Sequence, residues 1–216
     1  MSEINTDDKV IRVFVVRHGQ TNHNVAKILQ GHLDTELNEQ GLAQAELAGE
    51  KFKDYPIDAI YSSDLKRCKG TASTIQKHLS SPVDVTFSSN LRERNMGVIE
   101  GMKMQDAIEY AKKDGKSSYK EYGESSHALV SRIQKQVNKI LEENKHHKNI
   151  LLCSHGGTIR TLLKILKYNE DIIVYNTSVT IIDFNKEDFN DFKIIKIGDT
   201  KHLGEGEFKV SDTRVR

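Results

Sequence analysis

Two apolar runs in this chain close in the same way. "VIRVFVVRHG" and "NILLCSHGG" each end a stretch of β-branched and aliphatic residues on a histidine followed by glycine. Residues 10–16 carry a single charge, Arg12. That reads as a strand of a parallel sheet, buried on both faces. The glycine permits a sharp turn, and Thr21 or Asn22 can cap a following helix. His18 and His155 therefore stand at the carboxyl ends of strands, which is where open α/β sheets bind ligands. One histidine alone is ordinarily a satisfied core or surface group. Two in matching context, on strands that would be parallel neighbours, point to one shared rim.

The remainder of the chain alternates helix and strand. Asn38 is a candidate N-cap for a helix over "LNEQGLAQAELAGEKF", with Leu42, Ala45, Leu47, Ala48 and Phe52 near helical spacing. "DAIYSS" reads as a short strand, "SDLKRCKGTASTIQKHL" as a helix capped by Ser63 or Asp64, and "SPVDVTF" as another short strand. Residues 91–123 are the least regular part, with a short helix expected at 104–113, and read as a cap-like insertion over a sheet edge. Apolar spacing from Leu129 to Leu141 predicts a long helix beginning near Ser125, and "TSVTIIDF" with "DFKIIKIG" predicts two final strands, as a hairpin. A polar tail covers 200–216. This order predicts one α/β domain over 1–216, a three-layer α/β/α sandwich around a mainly parallel, mixed sheet.

Composition narrows the function classes. Hydrophobic residues make up 37%, no apolar run reaches membrane-spanning length, and the acidic, polar start is unlike a signal or transit peptide. The expected place is the cytosol, with the nucleus open. A net charge of +1 with interspersed signs predicts no nucleic-acid partner, and any anion preference must come from a local pocket. Cys68 and Cys153 lie too far apart for a C-x-x-C site and read as reduced, packed thiols. The His18, His23 and His32 spacing fits no common zinc pattern, and neither a P-loop nor a dinucleotide fingerprint occurs.

The run "RHGQTNHN" carries Arg17, His18, Gly19, Thr21 and Asn24, every fixed position of R-H-G-x-T-x-x-N. With "LQGHLDTELNEQG", "SSDLKRCKGTA", "LRERNMGVIEG", "YGES" and "SHGGTIR" following in order, the chain resembles the histidine phosphatase superfamily, the phosphoglycerate-mutase-like group. The "NTSVTIID" run is similar to small fungal broad-specificity members. The resemblance implies a phosphoglycerate-mutase-like fold and a covalent phosphohistidine mechanism on small phosphorylated substrates, without metal or other cofactor.

His18 is then the nucleophile, with one ring nitrogen unprotonated and the other expected to donate to the carbonyl near Gly19. Arg17 and Arg67 match the family's phosphate-binding arginines and would keep that imidazole neutral. His155 completes the pocket, and Asn24, Gln30 and Gly31 add to the substrate-binding set. Glu93 matches the general acid, which must be protonated when the leaving group departs. Bland readings stand beside these. Arg67 lies in a helix with Lys66 and Lys69 and reads alone as a solvated charge. Glu93 between two arginines reads alone as a surface ion pair, and Glu100 is a competing acid. Within the family, about thirty residues between Glu93 and Glu124 leave no counterpart to the mutase insertion, which favours hydrolysis over phosphoglycerate mutase-type transfer or a catalytically silent phosphate binder. Tyr110, Tyr119 and Tyr122 stack on a substrate or form a local core, and the lysines at 103, 112, 113 and 116 read first as a wet face. Oligomeric state is not legible.

Overall fold

The structure is a computed structural model and describes residues 3–204. Its strands are β1 (Val10–Arg17), β2 (Ala59–Ser63), β3 (Val85–Ser88), β4 (Asn149–Ser154), β5 (Val179–Asn185) and β6 (Phe192–Asp199). Its helices are α1 (Asn22–Val25), α2 (Glu39–Phe52), α3 (Lys66–His78), α4 (Met104–Lys113), α5 (Ser126–Glu143) and α6 (Gly156–Ile165). The strands form one mixed sheet in the order β3-β2-β4-β1-β5-β6. The first four in that order are parallel, and β5 and β6 add as an antiparallel hairpin.

Alternation along β1 divides the core. Phe14 and Val16 pack on one face with Ala48 and Phe52 of α2 and Cys68, Ala72 and Ile75 of α3. Ile11, Val13 and Val15 pack on the other with Leu129, Ile133 and Val137 of α5 and Ile159, Leu162 and Leu163 of α6. Helices on both faces make the expected three layers. Arg12, the one charge of β1 before its terminal Arg17, faces Asp183 across the antiparallel pair, and its Nε and Nη2 donate to the two carboxylate oxygens at 2.7 Å each. A forked pair of this kind satisfies a charge that would be costly to bury alone.

Local chemistry accounts for most helix starts. Asn38 caps α2 by accepting from Gly41 N–H at 2.8 Å, and Ser125 caps α5 by accepting from Ala128 N–H at 3.1 Å. Thr21 and Asn24 form a reciprocal capping box on α1. Two expectations fail. Leu42 is 51% exposed, because the buried face of α2 is made by Ala45, Ala48, Gly49 and Phe52. Neither Ser63 nor Asp64 caps α3. The Asp64 carboxylate is taken by Arg92 at 2.6 and 2.7 Å, and Asp34 accepts from Lys66 N–H at 2.7 Å instead. A forked guanidinium is the stronger partner for a carboxylate.

Residues 91–123 hold α4 and two 3₁₀ turns, and a third turn ends at Leu91. They pack beside the loop that follows α1, through a small core of Leu29, Ile99, Met104 and Ala107 and a bridge from Ile28 to Lys103. Of the polar tail, Lys201–Leu203 forms a 3₁₀ turn with Leu203 buried, and 205–216 lie outside the described residues. Among the described residues no helix is long and apolar enough to cross a membrane.

Candidate active site

The β1–β4 register places Arg17 opposite Ser154, so the next residue on each strand, His18 and His155, emerges at the same rim. Their rings lie 5.2 Å apart, tilted by 60°. Gly19 is required here by a close approach of two backbones: a Cβ on it would strike the carbonyl of Gly41. That contact turns the chain out of β1 against the start of α2.

His18 is 3% exposed, and its Nδ1 lies 2.7 Å from Gly19 O. A carbonyl can only accept, so the proton sits on Nδ1 and Nε2 keeps its lone pair. Burial, with the Arg67 and Arg17 cations next, holds the imidazole well below its ordinary pKa and so neutral. His155 is 1% exposed and held down likewise, by burial and then by Arg67, His18 and Arg17. Arg67 Nε donates to its Nδ1 at 3.3 Å, which leaves the proton on Nε2, 2.8 Å from Ser63 Oγ.

Arg67 is 1% exposed, far from a solvated face. Its guanidinium donates to Leu33 O at 2.7 Å and Gly31 O at 2.9 Å as well as to His155. Gly31 sits at φ +48°, where an L side chain is strained, and a Cβ there would push the Glu100 carboxylate aside. Arg17 donates from Nη1 to Val174 O, and its Nε and Cδ pass close to Gly156 at the start of α6.

Among the described residues Glu93 forms no ion pair. Its neighbours are engaged elsewhere, Arg92 with Asp64 and Arg94 with the carbonyls of Lys120, Tyr122 and Glu124. Its carboxylate accepts instead from Gly157 N–H at 2.7 Å, in the first turn of α6, and from Arg94 N–H at 3.0 Å. Glu100 accepts from His32 N–H and Met96 N–H at 2.9 Å each, so it anchors two loops and does not line the cleft.

Arg17, His18, Asn24, Gln30, Gly31, Arg67, Glu93 and His155 all line one cleft of about 830 Å³. The structure thus brings together in one cleft all the residues that the sequence offers as candidates. Asn24 and Gln30 are partly committed to their own loop: Asn24 Oδ1 accepts from Thr21 N–H at 3.1 Å, and Gln30 Oε1 from Thr35 Oγ1 at 2.5 Å. The outer walls carry Met96, Met104, Tyr119 and Leu129 with the cations Lys120 and Lys164. Tyr119 serves both readings, packing on the small core while lining the cleft, whereas Tyr122 stays with that core beside Tyr110. Lys103, Lys112 and Lys113 are exposed away from the cleft.

The pattern of the histidine phosphatase superfamily (branch 1) matches residues 13–195. The chain belongs to that family. It is 47% identical over 221 aligned positions to a broad-specificity phosphatase of Saccharomyces cerevisiae, covering 98% of this chain and 96% of the relative. A probable phosphatase of Schizosaccharomyces pombe is 34% identical, with 89% and 95% covered. Among solved structures, a phosphoglycerate mutase from Bacillus anthracis superposes with a TM-score of 0.79 at 29% identity, covering 91% of this chain and 96% of that one.

Several residues that shape this histidine phosphatase site escaped sequence reasoning. Arg132 of α5 donates to the carbonyls of Asn90, Arg92 and Glu93 and pairs with Glu124, fixing the loop that carries Glu93. His32 Nε2 lies 2.9 Å from Glu93 O and acts on the same loop. Thr158 donates to Arg92 O at 2.9 Å. Thr71 and Asn176 bond to the backbone of the His18 turn. His32, Thr71, Thr158 and Asn176 lie inside runs quoted for the resemblance, which is the signal for them, whereas Arg132 lies outside every such run.

Proposed function

We propose that this histidine phosphatase hydrolyses phosphomonoesters of small metabolites through a phosphohistidine at His18, without metal. The observation that carries the reading is a neutral, buried imidazole whose Nδ1–H is tied to Gly19 O while Arg17 and Arg67 stand beside it. In the first step His18 Nε2 attacks phosphorus, the P–O bond to the leaving group breaks, and that oxygen takes the proton of Glu93. The guanidinium groups hold charge spread over the equatorial oxygens of a loose transition state. His155 contributes by fixing the Arg67 guanidinium through Nδ1. In the second step water attacks phosphorus, Glu93 takes its proton, the P–N bond breaks and inorganic phosphate leaves. Glu93 serves both steps because α6 and its own loop hold it at the cleft wall.

Breadth of specificity follows from the outer cleft. Flexible Met96 and Met104 and the ring of Tyr119 offer contact area without fixed hydrogen-bond demands, and the charged lining mixes Lys120 and Lys164 with Glu170 and Asp171 and so selects no single charge of leaving group. The short 91–123 segment, read as a cap within a single domain over 1–216, leaves room for water to compete for the intermediate. That favours hydrolysis over mutase transfer. The deciding experiment is release of p-nitrophenol from p-nitrophenyl phosphate in the presence of chelator, for the wild type and His18→Ala. Chelator-resistant turnover lost in the variant supports the reading. Turnover that survives in the variant, or that stops with chelator, overturns it.

A further inference from the structure

The peptide unit joining His18 to Gly19 is held at both ends by side chains distant in sequence. Its oxygen, the carbonyl of His18, accepts from Asn176 Nδ2 at 2.9 Å. Its N–H, that of Gly19, donates to Thr71 Oγ1 at 2.9 Å. The next carbonyl, Gly19 O, is the acceptor for the His18 ring. A planar unit bonded at both ends cannot rotate without breaking both contacts, so the two side chains fix the plane from which the Gly19–Gln20 unit, bearing Gly19 O, departs; that second unit is held in turn by Gln20 N–H donating to Gln44 Oε1 at 2.9 Å.

Both side chains are fully buried and neither is replaceable by shape alone. Thr71 uses its one proton on Arg67 O at 2.8 Å and its lone pair on Gly19 N–H, which couples the His18 turn to the helix bearing Arg67. Asn176 must present its nitrogen to His18 O, since its oxygen would face another acceptor. Its own Oδ1 is then buried without a hydrogen-bond partner among the described residues. The next residue, Thr177, is β-branched yet sits at φ +53°, with its N–H donating to Arg17 O at 3.0 Å. Strain and an unsatisfied buried amide oxygen both oppose this corner, and what the corner delivers is the Asn176 contact with the turn.

We propose that Asn176 and Thr71 are positioning residues for the nucleophile. Together they fix the His18–Gly19 peptide, and with the Gln44 contact on the next peptide unit they set Gly19 O to hold the proton on Nδ1 while Nε2 stays unprotonated toward the cleft. Neither touches the phosphoryl group. The inference rests on His18 as nucleophile, and its test separates the two claims.

Thr71→Val and Asn176→Leu remove the clamp while keeping approximate volume, Asn176→Asp is a second route if the leucine variant fails to fold, and Thr71→Ser keeps the oxygen. The readouts are kcat for p-nitrophenyl phosphate, competitive inhibition by inorganic phosphate, and the ¹⁵N NMR signature of the His18 ring. Misplacement on this scale should lower kcat about 10- to 100-fold while inhibition by phosphate changes less than about threefold. The ring should pass from one Nδ1–H tautomer to a mixture, Thr71→Ser should recover most of the loss, and Ser178→Ala, an equally buried neighbour, should behave as wild type. Unchanged kcat in folded variants overturns the proposal, as does parallel loss of turnover and phosphate binding, or an unaltered tautomer with reduced activity. Since the tautomer is read without turnover, a wild type lacking phosphatase activity would sink the phosphohistidine reading and still report on the clamp.

Discussion

Acidification should destabilise this protein before its carboxylates begin to protonate. His18 and His155 are held well below the ordinary imidazole pKa, by burial first and then by Arg67. His202 is pushed down to about 4, again by burial and then by Lys51. In the unfolded chain all three would take a proton as pH falls through about 6.5, whereas the folded chain keeps them neutral well below that. The unfolded state therefore binds more protons, so the stability these groups contribute is complete above pH 6.5 and falls as pH drops toward their folded values. Between pH 6.5 and 5.5 each such histidine costs about 1 kcal/mol, and the three together about 3 kcal/mol, a large part of the about 5–15 kcal/mol typical of a domain. Urea unfolding in phosphate-free buffer across this interval measures the loss directly. His18→Gln should reduce the loss by about 1 kcal/mol, because one proton no longer distinguishes the two states. Flat stability, or an identical pH dependence in the variant, would mean that His18 is protonated in the fold. It would then have no free lone pair for phosphorus.

Other substitutions test separate parts of the site. Glu93→Gln should slow turnover of alkyl phosphates by about 10²- to 10⁴-fold. With p-nitrophenyl phosphate, whose leaving group departs unaided, it should give a burst near one equivalent and then stall as phosphohistidine, readable by rapid quench. Gly31→Ala places a methyl group at φ +48° against Glu100 and displaces the carbonyl that anchors Arg67. A stability loss of about 1–3 kcal/mol and weaker inhibition by inorganic phosphate are expected. Arg132→Met takes the guanidinium from the Glu124 carboxylate and from Asn90 O, and leaves Arg92 O to Thr158 and Glu93 O to His32 alone. It should cost about 3–5 kcal/mol by denaturant titration, with kcat falling because the Glu93 loop loosens.

What could be read from the sequence was whatever the chain encodes locally or in pattern. Apolar runs ending in His18 and His155 were enough to place two parallel strands side by side, and the ordered motifs were enough to gather Arg17, Arg67 and Glu93. Capping by Asn38 and Ser125 is short-range and equally legible. Asp34 as partner of the α3 start was not, since it depends on Arg92 drawing Asp64 away across the fold. The same holds for Arg67, whose burial cannot be inferred from a helix rich in lysine. Thr71 looks like an ordinary helical threonine until Gly19 N–H is seen against it. Arg132 likewise reads as one more charge on an amphipathic helix, because its carbonyl partners lie some forty residues upstream.

The pairing of β1 with β4 joins residues 12–17 to residues 149–154. A chain emerging from the ribosome thus carries the nucleophile, both arginines and the general acid long before it can assemble them. Until β4 arrives, the strand bearing His18 is a bare apolar edge, of the kind that chaperones or neighbouring chains would bind. Phosphatase activity in this protein is accordingly a sensor of completed long-range folding. Its first appearance during refolding would time the insertion of one central strand.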